Sequence, residues 1–154
     1  MAIKSIIKKV LLVDDDHDDC FFFEEQLQEL DPSIKLVCIN EARHLFLHAK
    51  ELQPDLIFLD IDMPNLNGFN CLTHLKEQEE LKRIPIVMYS SSFQPKDIEK
   101  AYLYGANLYV TKPAGLAAIK ATLRGILELD WEEPTKVTAD YFPQGKYRRF
   151  HISK

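Results

Sequence analysis

The feature that most limits how this chain can fold is a four-residue apolar run, Leu56-Ile57-Phe58-Leu59, that stops abruptly at Asp60. A run that short and unbroken reads as a strand covered on both faces, as in a parallel sheet. Pro64, Asn65, Asn67 and Gly68 follow and mark a loop at its carboxyl end. Open α/β sheets bind their ligands at that edge. A carboxylate there is either neutralised by a cation or takes part in chemistry.

Similar runs recur. Residues 10–13 are apolar and end in Asp14, Asp15 and Asp16; residues 85–89 end in Ser90, Ser91 and Ser92; residues 108–111 close on Lys112-Pro113. Residues 34–39 alternate and read as a strand near the sheet edge. Helical patterns fill the intervals. Cys20, Phe23, Leu27 and Leu30 have helical spacing behind an acidic first turn. Residues 41–52 are helical, and Asn67-Gly68 opens a helix of about three turns. A short helix runs from Pro95 to about residue 104 with Gly105 as its cap, and residues 116–129 form the last long one. Five strands alternating with five helices predict an α/β fold: a doubly wound, five-stranded parallel sheet.

Size and composition bound the rest. A chain of 154 residues fits one domain with a sizeable core. At 46% hydrophobic and 28% charged it falls outside the disordered and fibrous classes. No apolar run approaches the ~20 residues that span a bilayer, so no membrane association is expected. The first ten residues lack a cleavable leader pattern, which favours the cytoplasm. Cys20, Cys38 and Cys71 are odd in number and lie inside predicted elements, so reduced thiols are expected. A net charge of -5 argues against direct nucleic-acid binding. The division expected is a domain over residues 1–130 and an extension over 131–154. That extension carries Lys146, Arg148, Arg149 and Lys154 beside Tyr141, Phe142, Tyr147 and Phe150. It reads either as a partly disordered tail or as an interaction arm.

Strand ends of a parallel sheet share one edge, so Asp14, Asp15, Asp60, Ser90 and Lys112 should converge. Clustered carboxylates repel, and a hard divalent cation such as Mg2+ relieves the repulsion. A lysine supplies positive charge for a phosphoryl oxygen, and a serine supplies a hydrogen bond. The assembly suits a carboxylate nucleophile that accepts a phosphoryl group.

The motifs Val-Asp-Asp, Leu-Asp-Ile-Asp-Met-Pro-x-x-x-Gly, Ser-Ser and Lys-Pro, over roughly residues 8–129, resemble the receiver domain of two-component response regulators. The acidic helix start, the triple-serine loop and the short extension look most like the single-domain, phytochrome-associated type. The resemblance implies a CheY-like (flavodoxin-like) sheet of order 2-1-3-4-5. It makes Asp60 the phosphoacceptor, with Mg2+ held by Asp14, Asp15, Asp60 and the backbone carbonyl of Asp62. Lys112 would bridge the phosphoryl group and Asp60, aimed by a cis peptide before Pro113. Ser90 would be the switch hydroxyl and Tyr109 the aromatic that turns inward with it. The implied function is a stand-alone signalling protein and not an enzyme beyond its own phosphorylation and dephosphorylation. The implied donor is a sensor histidine kinase or a histidine phosphotransfer protein. The output is the face of the fourth helix, fifth strand and fifth helix, through which a homodimer could also form. Residues 16–19 match no ligand position and read as a solvated helix start, although His17 among acids hints at a second metal site.

Three other readings compete. Asp60-Ile61-Asp62 also fits the Asp-x-Asp of haloacid-dehalogenase-type phosphatases, but Met-Pro follows and no late acidic pair or cap insertion is present. A receiver-like module that never takes phosphate is countered by the full set of acids, Ser90 and Lys112. A flavodoxin-like nucleotide binder needs a glycine-rich phosphate loop where residues 14–19 are acidic.

Overall fold

The computed structural model describes residues 5–63 and 67–151. Pro64 and Asn65, read above as turn formers, lie outside the described residues. The five strands are β1 (Lys9–Val13), β2 (Lys35–Ile39), β3 (Leu56–Leu59), β4 (Ile86–Ser90) and β5 (Leu108–Thr111), all parallel, in the order β2-β1-β3-β4-β5. This is the doubly wound sheet that the sequence predicts. The central β3 and β4 are buried at every position, while β2, at the edge, is mostly half-buried.

Each helix begins and ends for a local reason. In α1 (His17–Leu30) the Asp16 side chain caps the free N–H groups of Asp18 and Asp19. A short 3-10 turn (Ala42–His44) leads into α2 (Leu45–Leu52), which stops at Gln53 in the left-handed conformation. The Asn67 side chain accepts from Phe69 N at 2.7 Å and starts α3 (Gly68–Glu77). Pro95, which needs no N–H partner there, opens α4 (Pro95–Leu103). The next helices are α5 (Leu116–Leu127) and α6 (Pro134–Tyr141).

Strand side chains alternate between two apolar layers. Val10, Leu12, Phe58, Tyr89 and Val110 face α1 and α5, meeting Phe23, Leu27, Leu123 and Ile126. Leu11, Val13, Leu59, Met88 and Tyr109 face α2, α3 and α4, meeting Leu45, Leu72, Leu75 and Ile98. Burying both faces is what makes the strands read as unbroken apolar runs.

The segment after residue 130, read from sequence as a tail or an arm, is built into these layers. Trp131 and Val137 are buried with the α1–α5 layer, and Trp131 Nε1 donates to Ile126 O at 2.7 Å. The buried Asn107 uses its Oδ1 to accept from Ile86 N at 3.0 Å, and Thr138 Oγ1 on α6 donates to the Asn107 carbonyl at 3.1 Å. The Phe142 ring stacks on Tyr102 of α4, with centroids 4.8 Å apart. Phe150 lies against Gly125 of α5. Residues 142–150 therefore lie against parts of α4 and α5.

Two expectations need correction. Cys20 and Cys38 are joined by a disulfide, leaving Cys71 as a buried free thiol. The return from α1 into β2 brings their Cα atoms to 6.4 Å although they are 18 residues apart, a proximity the spacing did not reveal. There is also no cis peptide bond among the described residues, so Lys112-Pro113 is trans, the form that X-Pro bonds favour intrinsically. Lys112 reaches the sheet edge in that form.

Candidate functional site at the carboxyl edge of the sheet

The ladders continue one residue past β1 and β3. Asp14 N donates to Ile39 O and Asp60 N to Val13 O, both at 3.0 Å, which places the two carboxylates side by side just beyond the strands. Both are buried, at 0% and 5% exposure, an unusual setting for acids that only hydration or pairing can stabilise. Asp16 N donates to Asp14 Oδ1 at 3.0 Å and Asp62 N to Asp60 Oδ1 at 3.2 Å, fixing how each carboxylate points. Asp15 is half-buried beside them, and Asp14, Asp15 and Asp60 each offer an oxygen within 4.8 Å of the others.

Lys112 follows β5, whose Thr111 pairs with Ser90, and its Nζ closes the cluster. It lies 2.7 Å from Asp14 Oδ2, 3.0 Å from Asp60 Oδ2 and 2.9 Å from Asp19 Oδ2. The Asp14 contact is an ion pair without hydrogen-bond alignment: Asp14 Oδ2 is buried and has no hydrogen-bond partner among the described residues. Burial works against the Lys112 ammonium, but Asp14 and Asp19 outweigh it and hold its pKa above the usual lysine range. Burial raises Asp14 from 3.8 to about 6, with Lys112 opposing. Asp60 is raised for the same reason, again against the pull of Lys112. One ammonium is too little charge for this many buried carboxylates.

That deficit, the orphaned Asp14 Oδ2 and three hard oxygen donors within reach of one another fit a small divalent cation. Among the described residues it is the only acid, His or Cys cluster of that kind, so the hint of a second metal site at His17 finds no support in the geometry. Asp62 is exposed at the mouth of the pocket.

Ser90 is fully buried at the end of β4, and its Oγ accepts from Ser92 N at 3.2 Å. The Ser92 carbonyl in turn accepts from the Tyr109 hydroxyl at 2.7 Å. Tyr109 is itself buried, its N–H bonded to the Tyr102 hydroxyl at 2.9 Å. A continuous set of contacts thus links the pocket to the α4–β5–α5 face through Ser90, Ser92 and Tyr109.

The structure brings together Asp14, Asp15, Asp60 and Lys112, and it sets Ser90 at the neighbouring strand end. Sequence reasoning missed Asp19. It also missed why Gly68 is needed: a Cβ there would overlap the Asp60 carbonyl oxygen and lie 2.6 Å from Ile61 Cα. The available signal for Asp19 was its place in the first turn of the helix that leaves the carboxyl end of β1.

Comparison with known proteins agrees with the geometry. The family described as Response regulator receiver domain matches residues 10–124. The chain is 30% identical over 139 residues to Response regulator Rcp1 of Synechocystis sp., covering 86% of this chain and 94% of that one. The phosphorylated cyanobacterial phytochrome response regulator RcpA superposes with a TM-score of 0.68 at 31% identity, over 78% of this chain and 91% of its own. The Mn(2+)-bound form of Rcp1 superposes over 96% of this chain and 99% of its own, with a TM-score of 0.65 at 21% identity. That coverage extends the likeness in fold to the segment after residue 130.

Proposed function

Because the chain belongs to the response regulator receiver family, we propose that it accepts a phosphoryl group on Asp60 from a histidine kinase or a histidine phosphotransfer protein. The observation that carries this reading is the placement of the buried Asp60 carboxylate, 3.0 Å from Lys112 Nζ and in reach of Asp14 and Asp15. An Asp60 oxygen attacks the phosphorus of the donor phosphohistidine. The O–P bond forms, the N–P bond breaks, and the imidazole leaves with the electron pair and takes up a proton. The residues present fit Mg2+, with Asp14, Asp15, Asp60 and the Asp62 carbonyl as its ligands. Bound there, the ion supplies positive charge to offset the crowded oxygens. Lys112 orients one phosphoryl oxygen and Ser90 donates its hydroxyl to another.

The chemistry is limited to the protein's own modification and its reversal. Phosphorylation shifts an existing equilibrium at Ser90, and the Ser92–Tyr109 contact carries the shift to the α4–β5–α5 face. The phosphohistidine donor belongs to the cytoplasm, where the proposal sets the protein. The output is protein contact, by a partner or a second copy, without nucleic acid or membrane. In the described residues no helix is long and apolar enough to cross a membrane.

Acetyl phosphate with Mg2+ tests the reading by intact mass. The wild type should gain about 80 Da, one phosphoryl unit, and Asp60→Asn nothing. A gain in neither protein, or an equal gain in both, removes Asp60 as the acceptor.

A further inference from the structure

The Lys112 ammonium lies against three carboxylates: it donates hydrogen bonds to Asp19 and Asp60 and pairs by charge with Asp14. Asp14 and Asp60 also belong to the set that can hold a cation, whereas Asp19 does not. An ammonium and a dication repel when they lie against the same oxygens. Cation binding therefore makes Lys112 give up part of its hold on Asp14 and Asp60, leaving Asp19 as the partner it can keep. That partner stands on a fixed base. It sits in the first turn of α1, where Asp19 N donates to the capping Asp16 Oδ1 at 3.2 Å.

We propose that Asp19 is a positioning residue that retains the Lys112 ammonium at the rim of the pocket while Asp14 and Asp60 pass to the cation. The inference rests on the receiver reading and deepens it by adding a residue that governs cation loading. Without Asp19 the cation-free protein still offers Lys112 two carboxylates. The loaded protein offers none outside the ligand set. The loss therefore falls on the loaded state, and affinity drops. Asp19 is only half-buried, its side chain 39% exposed, so a pairing of no consequence or a general effect of negative charge are the alternatives to be separated.

Calorimetric Mg2+ titration of the full chain separates them. Asp19→Asn should weaken Mg2+ binding about fivefold, and the neighbouring exposed Asp18→Asn, a control for charge alone, by less than about twofold. In a Lys112→Met background Asp19→Asn should do no more than Asp18→Asn, because the group through which Asp19 acts is gone. Lysine-ammonium NMR adds a signature that a purely structural role would not move. The Lys112 ammonium signal should persist on Mg2+ addition to wild type and disappear in Asp19→Asn only when Mg2+ is present. Asp19→Glu should recover part of both effects. Equal losses for Asp18→Asn and Asp19→Asn, or a full Asp19→Asn effect without Lys112, overturn the inference while leaving the receiver reading in place. A wild type that neither binds Mg2+ nor takes a phosphoryl group overturns both.

Discussion

Asp14 shows how the pocket's electrostatics can be read in solution. Burial raises its pKa from 3.8 to about 6, so the folded chain binds that proton more tightly than the unfolded chain does. Protonation then favours the fold. The stabilisation is fully present below about pH 4 and is lost as pH rises through about 6, with Asp60 shifted in the same direction. The chelated protein should therefore lose urea resistance between about pH 4 and about pH 6, and Asp14→Asn should flatten that slope. On the proposed reading Mg2+ would take the place of the proton, and saturating Mg2+ should restore resistance at pH 7. A wild-type slope no steeper than that of Asp14→Asn would contradict this account. Asp14, Asp60, Ser90 and Lys112 were legible in the sequence because each ends a short apolar run, and a parallel sheet sends all such ends to one edge. Asp19 was not, because its importance depends on the reach of a lysine 93 residues away. Neither was the trans peptide at Pro113, since residue type alone does not select the isomer.

Among the elements, the start of α3 packs most closely on the Asp60 backbone. Gly68 N donates to Ile61 O at 2.9 Å, and the missing side chain lets the start of α3 lie against the Asp60 backbone. Gly68→Ala should cost about 1–3 kcal/mol from forced displacement and should slow acetyl-phosphate labelling of Asp60. Denaturation midpoints and labelling rates check both effects. Unchanged values in both would show that the start of α3 shifts without cost. The five strands and first five helices were readable to within a few residues, since period and caps are local properties. The 3-10 entry to α2 was not separable from the helix that follows it. The disulfide was missed for a different reason, because it depends on how α1 packs against β2.

At the level of the whole molecule, residues after 130 complete both apolar layers. Their role was hidden because α6 is short and its one buried residue, Val137, shows no periodic pattern. A chain ending at residue 130 should lose about 3–5 kcal/mol from the missing Trp131 alone, read as a lower urea midpoint. An unchanged midpoint would mean that the segment rests on the domain without supporting it. Tyr102 and Gly125 already have Phe142 and Phe150 as neighbours, so this side of the protein has an occupant of its own. A molecule arriving there competes with a leashed peptide whose local concentration is on the order of millimolar. Its apparent affinity is lowered by that rivalry, and trimming the leash should sharpen recognition even where no recognising atom has changed.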